Sequence, residues 1–204
     1  LLSFDAIVGE HERGTLLLLL SYPLSRWQVV VGKVLGQIAI LAVATVLGYG
    51  AAGVALWLKG GVGIDAWLAY GAMMATSVML GASFVAIGCL ASTLVRERAT
   101  AAGLAVGVWL LFVLLFDTAL LGVLVADQGR IVGKTALDAL LLLNPTDVYR
   151  LFNMTASRSV SVYSGMAGPG DPQAVAPWIY IAVLAAWIAV PLAAAVAVFR
   201  RRAL

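Results

Sequence analysis

Residues 4–33 read FDAIVGEHERGTLLLLLSYPLSRWQVVVGK, and this stretch gathers charged and polar residues in a chain that is otherwise strongly apolar. Its charges flank a leucine run at 16–20, which is too short to cross about 30 Å of hydrocarbon. Pro23 ends the run, and Ser25 with Gln28 has the spacing of a helix capping box. The stretch therefore predicts a short helix, a proline turn and the start of a long helix. Such a segment lies on a membrane surface or docks into a partner's groove, and a plain polar loop between spans is the alternative.

The composition identifies an integral membrane protein. Of the 204 residues, 63% are hydrophobic and 11% are charged, whereas about a quarter are charged in soluble domains. The net charge is +3, but no basic stripe with interleaved aromatic residues accompanies it, so we expect the lipid bilayer and no nucleic acid as a partner. The single cysteine, Cys89, lies in an apolar stretch and is expected to be a small buried side chain.

Four apolar runs are long enough to cross a membrane, at 34–58, 66–95, 99–126 and 178–199. We therefore expect an all-α polytopic membrane protein with one transmembrane domain. Its predicted parts are the end of a preceding span with a cytoplasmic segment (1–33), three spans (34–126), an outer helical segment (127–177), and a last span with a basic tail (178–204).

The basic residues predict the orientation of the chain. Placing 4–33 in the cytoplasm puts most Lys and Arg residues on that side, among them the Arg200-Arg201-Arg202 tail. The C-terminus is then cytoplasmic, and the long segment 127–177 lies outside.

Asp117 is the only ionisable side chain well inside a predicted span. A carboxylate at that depth faces a bundle interior or a wet cavity, which makes Asp117 a candidate switch or pathway residue. The structural alternative is a carboxyl that is protonated or hydrogen-bonded to a group such as Thr118. Its span contains no His, Cys or second acid, so we expect no metal site there.

The outer segment predicts two helices. Residues 134–143 carry few charges and several leucines, which favours a re-entrant or surface helix. Asn144 can cap a second helix, whose polar face we expect to contact a periplasmic partner. The residues assigned to that contact are Asn144, Pro145, Asp147, Arg150 and Phe152.

Three apparent catalytic motifs fail. His11-Glu12 begins a zinc-protease pattern, but the chain has no second histidine. Gly81-Ala82-Ser83 is similar to the nucleophile turn of an intramembrane serine protease, but no histidine lies in a span to act as the base for Ser83. The GRIVGKT sequence at 129–135 has one residue too few between its glycines for a phosphate loop. We therefore expect no catalytic, cofactor or nucleotide site, and any energy must come from another subunit.

Two patterns carry a family resemblance. The first is Glu10-x-Glu12-Arg13-Gly14-Thr15, a leucine run, Ser21-Tyr22-Pro23-x-Ser25-Arg26, and then Gly32-Lys33. It resembles the cytoplasmic segment of type-2 ABC exporter permeases. The resemblance implies six spans in the full subunit, a second copy of the chain, and a cytosolic ATPase dimer that holds ATP and Mg. It also implies an ATPase-coupling role for Glu10, Glu12, Arg13, Gly14, Thr15, Pro23, Ser25 and Arg26.

The second pattern is LNPTDVYRL at 143–151 with YSGM at 163–166. It is similar to the branch of that family that serves the maturation of nitrous oxide reductase. This resemblance implies a bacterial inner membrane location, a periplasmic accessory protein and a copper chaperone as partners. The implied cargo is a sulfur species, or help with copper delivery, for a copper-sulfide cluster. A non-transporting anchor or assembly scaffold, and an exporter permease with another substrate, are the alternatives.

Overall fold

The computed structural model describes residues 3–15, 25–60, 63–127, 134–156 and 175–201, and these ranges contain helices and turns but no strand. The helices are α1 Val8–Glu12, α2 Arg26–Lys59, α3 Ile64–Leu94, α4 Arg98–Leu110, α5 Phe116–Asp127, α6 Lys134–Leu142, α7 Pro145–Thr155 and α8 Pro177–Arg201. A single π-helical turn, Leu111–Leu115, joins α4 to α5.

Within the described ranges, four helical stretches are long and apolar enough to cross a membrane, which confirms the predicted fold class and the four complete spans. They are Arg26–Leu58, Ile64–Leu94, Arg98–Asp127 and Pro177–Arg201. The first has 33 residues, so it is about 50 Å long and exceeds the hydrocarbon thickness. Its polar first turns therefore belong to the helix and extend beyond the apolar layer.

The predicted helix starts are confirmed where the structure describes them. The N–H of Ser25 donates to Gln28 Oε1 at 2.8 Å, which is one half of the capping box. Asn144 caps α7, because its Oδ1 accepts from the N–H of Thr146 at 3.0 Å. Pro177 opens α8, where a missing N–H is harmless.

The chain forms two compact units. The first comprises Leu1–Leu41, Gly81–Leu115 and Ala186–Leu204. Its core is built from buried apolar side chains, which are Ala6, Ile7, Val30, Val34, Val85, Cys89, Ala195 and Phe199. The burial of Cys89 confirms the expectation from sequence.

The second unit comprises Ala42–Leu80 and Phe116–Ala185. Its core is a smaller cluster in which α7 packs against α8 through Val148, Phe152, Tyr180 and Leu184.

Some predictions concern segments outside the described residues. They are the short helix over 16–20, the turn at Pro23, the YSGM pattern at 163–166 and the start of the GRIVGKT sequence.

Candidate functional site

The segment that leads into α1 is anchored by one hydroxyl on α3. Ser92 Oγ accepts hydrogen bonds from the backbone N–H groups of Ile7 and Val8, both at 3.0 Å. These amides open α1, so Ser92 acts as its cap although it lies 84 residues beyond Val8 in the chain. All three residues are buried, so water cannot substitute as the acceptor. The contact fixes the start of α1 to α3.

Asp5 joins two arginines beside α1. Its Oδ2 accepts from Arg13 Nη2 at 2.8 Å, and its Oδ1 lies 2.9 Å from Arg98 Nε. Arg98 is the first residue of α4. Both arginine side chains are about half exposed, so each pair adds about 1 kcal/mol or less to stability. The importance of Asp5 is that it connects the α1 segment to α4.

Glu10 connects α1 to α2. Its Oε1 accepts from Lys33 Nζ at 2.8 Å, and its carboxylate also accepts from the hydroxyl of Thr15. Lys33 Nζ makes a further bond, at 2.7 Å, to the carbonyl of Ala6. The hydrogen bond from Lys33, and then that from Thr15, hold the pKa of Glu10 below its ordinary value. The carboxyl is therefore ionised at neutral pH.

Glu12 makes the second connection to α4. Its Oε1 accepts from the backbone N–H of Arg98 at 2.7 Å. A carboxylate is favoured there because the N-terminus of a helix carries partial positive charge. Gly14 follows with φ at 71°, a left-handed conformation that glycine adopts without strain and that often follows the end of a helix. This positive φ lies two residues after the contact between Glu12 and α4.

The predicted coupling residues fall into two groups. We call the set of contacts that joins Asp5, Glu10, Glu12 and Arg13 to Lys33, Ser92 and Arg98 the α1 network. The charged residues described within 10–15 all belong to it. Ser25 and Arg26 instead begin α2, where Arg26 Nη1 donates to the carbonyl of Arg200, near the end of α8, at 3.4 Å. Pro23 lies outside the described residues.

Sequence reasoning missed most partners in the α1 network. Lys33 was predicted only as a charge of the 4–33 stretch and Arg98 only as a marker of orientation, and Ser92 was not singled out. The available signal was that acidic residues of one cytoplasmic segment must meet basic residues at neighbouring span ends. A buried serine within a span gives no comparable signal.

A second polar cluster lies where α5 meets α7. Arg150 Nη1 is 2.5 Å from Asp117 Oδ2 and 3.2 Å from Asp147 Oδ1. Asn144 Nδ2 donates to the other oxygen of Asp147 at 2.8 Å. Burial, and then the charge of Asp117, raise the pKa of Asp147 above its ordinary value. One guanidinium therefore serves two carboxylates.

The structure gives Asp117 a hydrogen-bonded partner on another helix, which is one of the two forms of the structural alternative predicted for it. The expected state was a protonated carboxyl, or one bonded to a hydroxyl such as that of Thr118. The partner is the guanidinium of Arg150 on α7, a cation and not the hydroxyl that served as the example. Arg150 was assigned to a different surface because it lies 33 residues further along the chain.

The predicted periplasmic contact stays a prediction, but four of its five residues expose little surface in this structure. Asn144, Pro145, Asp147 and Phe152 are buried within the chain. The side chain of Arg150 remains 42% exposed.

Two partly buried polar residues of α7 also find partners inside the second unit. The Tyr149 hydroxyl lies 3.0 Å from Ser77 Oγ, and Asn153 Nδ2 donates to Thr76 Oγ1 at 3.2 Å. Both partners belong to α3. The polar face of α7 is therefore an internal contact surface.

The whole chain, residues 1–204, matches the sequence profile of the family described as "ABC-2 family transporter protein". The chain belongs to the ABC-2 transporter family. It is 45% identical to the "Probable ABC transporter permease protein NosY" of Stutzerimonas stutzeri and 44% identical to the protein of the same name from Pseudomonas aeruginosa. Each alignment covers 99% of this chain and 74% of the relative.

As a member of this family, the chain is a membrane-spanning permease of an ABC transporter, in which ATP hydrolysis resides in a separate subunit. Permeases of this kind generally pair with an ATPase.

Proposed function

We propose that the α1 segment is the element through which a cytosolic ATPase moves the spans of this permease. The observation that supports this role is the α1 network. Asp5 and Glu12 bind the start of α4, Glu10 binds α2 through Lys33, and Ser92 holds the segment to α3.

A displacement of α1 therefore reaches three spans at once. Because the connections are short and charged, α1 and the attached span ends move together instead of bending separately. This is a two-state element whose equilibrium the nucleotide state of the ATPase biases. In this arrangement α1 and the basic end of α8 lie on the cytoplasmic side of a bacterial inner membrane.

The proposed assembly contains two copies of this chain and two NosF-like ATPase subunits, which hold ATP and Mg. A NosD-like protein and a copper chaperone are the proposed periplasmic partners. With Asn144, Pro145, Asp147 and Phe152 buried, the contact with such a partner falls to Leu143 and Met154, which are 58% and 42% exposed, and to Arg150.

The proposed cargo is a sulfur species, or copper whose delivery the complex assists, for the copper-sulfide cluster of nitrous oxide reductase in denitrification. The support for this assignment is the 45% identity to proteins named as NosY permeases, together with the LNPTDVYRL pattern. Asp117 and Arg150 are proposed to tune the conformational switch.

The test reverses two charges of the α1 network, in the double variant Glu10→Lys with Glu12→Lys. We expect the permease to lose ATPase co-purification, or to lose coupling between ATP hydrolysis and reductase maturation. The matched control is Asp65→Lys, a charge reversal at an exposed residue in the first turn of α3. Full association and full maturation in the double variant would contradict the proposal.

A second variant separates transport from scaffolding. The partner ATPase is altered so that it binds ATP without hydrolysing it, and the maturation of nitrous oxide reductase is measured. Loss of maturation is expected. Normal maturation with no other ATP-dependent defect would instead identify the chain as a non-transporting membrane anchor or assembly scaffold. Normal maturation together with the loss of another ATP-driven function would point to another cargo.

A further inference from the structure

A basic cavity lies where the start of α2 meets the end of α8. Its volume is about 370 Å³, and it is lined by Ser25, Arg26, Trp27 and Arg200. The two helices are joined there by the hydrogen bond from Arg26 Nη1 to the carbonyl of Arg200. The cavity is separate from the residues of the α1 network, although Ser25 and Arg26 are among the residues to which the family resemblance gives a coupling role.

The charge of this cavity is positive. Two of the four described lining residues are arginines, none of the four is acidic, and Arg201 follows at the exposed end of α8. A guanidinium presents its N–H groups as a planar fork that matches the oxygens of a phosphate. The chemistry that fits the cavity is therefore a phosphate monoester or diester.

The position of the cavity favours a lipid as the source of that phosphate. Both helices are candidate membrane spans, and the cavity lies at their ends, where the polar headgroups of a bilayer are found. Trp27 is 50% exposed beside it, and tryptophan concentrates at this interface because one part of its ring system is apolar and another is polar. Basic pockets between membrane helices bind anionic headgroups by this combination of contacts.

We propose that this cavity binds the headgroup of an anionic phospholipid, with Arg26 and Arg200 on the phosphate and Trp27 against the glycerol and upper acyl region. The bound lipid would brace α2 against α8, in addition to the hydrogen bond from Arg26 to Arg200 and the packing of the two helices in the core of the first unit. The site is independent of the cargo and of the ATPase contact proposed above.

The test uses the full-length permease with its ATPase, in nanodiscs that contain equal amounts of phosphatidylcholine and phosphatidylglycerol. Native mass spectrometry counts the lipids retained by the complex. We expect retained phosphatidylglycerol in the wild type and a loss of about 25-fold in affinity for it in the double variant Arg26→Gln with Arg200→Gln, since each basic residue near a membrane surface contributes roughly fivefold.

Two further variants control for charge and folding. Arg96→Gln removes an exposed arginine that does not line the cavity, and it should retain phosphatidylglycerol as the wild type does. The double variant Arg26→Lys with Arg200→Lys keeps both charges and should recover most of the binding even if the glutamine variant assembles poorly.

Three results would overturn the proposal. They are equal retention of phosphatidylglycerol in the wild type and in a folded glutamine variant, equal retention of phosphatidylcholine and phosphatidylglycerol by the wild type, and loss of binding in the lysine variant together with the Arg96→Gln control. A free phosphate source is distinguished by melting the complex in phosphatidylcholine nanodiscs with inorganic phosphate. A rise in melting temperature that depends on Arg26 and Arg200 would assign the cavity to soluble phosphate instead of a lipid.

Discussion

Replacing Ser92 with alanine is expected to release the start of α1 from α3. The hydroxyl oxygen accepts two buried hydrogen bonds, from the N–H groups of Ile7 and Val8. Alanine removes the acceptor for both, and a buried group left unsatisfied costs about 1–3 kcal/mol. Because α1 is short and can shift to relieve part of this loss, we take about 1–1.5 kcal/mol for each donor, at the low end of that range, which gives about 2–3 kcal/mol in total.

Hydrogen exchange of the full-length permease with its ATPase measures this loss directly. A local destabilisation of that size corresponds to roughly 30- to 140-fold faster exchange of the amides in residues 3–15, because about 1.4 kcal/mol is a factor of ten. The matched control is Thr93→Val, which removes the neighbouring buried hydroxyl. Thr93 Oγ1 donates to the carbonyl of Leu90 within α3 at 2.7 Å, so this control leaves α1 untouched.

The reasoning fails if residues 3–15 exchange at the wild-type rate in a Ser92→Ala protein that is otherwise folded. In that case the ion pairs of Asp5, Glu10 and Glu12 would suffice to hold α1, and the serine would be an incidental neighbour. Faster exchange in Thr93→Val by the same factor would likewise assign the effect to α3 and not to the cap.

Asp117→Asn should lower stability in detergent by about 1 kcal/mol because it breaks a partly exposed ion pair, whereas Asp147→Asn should melt no lower than wild type at neutral pH. Because folding raises the pKa of Asp147, the contribution of this residue to the free energy of unfolding falls as the pH rises above 3.8. The Asp147→Asn variant should lack this pH dependence. A larger loss of stability in Asp147→Asn than in Asp117→Asn would be inconsistent with this. Because folding lowers the pKa of Glu10, the contribution of this residue to the free energy of unfolding is complete above pH 4.5 and is lost as the pH falls through the lowered pKa. Glu10→Gln should therefore weaken the dependence of the melting temperature on pH in that acid range. An unchanged dependence would exclude the effect. Gly14→Ala should cost about 1 kcal/mol because of its positive φ, while Gly32→Ala, in a helix with open space around it, should stabilise by up to about 1 kcal/mol; melting temperatures that shift in the same direction would contradict this contrast.

The spans were predictable because long apolar runs have few alternatives in a membrane. The cap at Asn144 and the helix start at Ser25 were predictable because both depend on neighbours within three residues. The π turn at Leu111–Leu115 was not, since LFVLL is uniformly apolar and carries no mark of an extra residue. Local chemistry therefore located the elements, and the exceptions needed tertiary information.

The sites were harder to predict than the fold. The charges around Glu10 and Glu12 drew attention to the correct segment, but Ser92 and Arg98 lie more than 80 residues away and pair with it only after folding. The polar face of α7 was assigned to a partner by analogy with soluble amphipathic helices. In this chain Arg150 finds its countercharge on Asp117 inside the second unit, so polarity marked an internal contact.

The π turn before Asp117 also bears on how this span can rotate. A π turn holds one residue more than the same length of α-helix, so the helices on either side keep their facing while the turn absorbs the excess. If Leu111–Leu115 relaxed to regular α-helix, every residue beyond it would advance by one position, a rotation of about 100° that would carry the Asp117 carboxylate away from Arg150. Deleting Val113 removes the excess residue without that rotation, and we expect the deletion to preserve the energetic coupling of Asp117 to Arg150 in a double-mutant cycle. The π turn thus determines which side of the span carries Asp117, because the loss of its extra residue from the helical register would rotate that carboxylate away from Arg150.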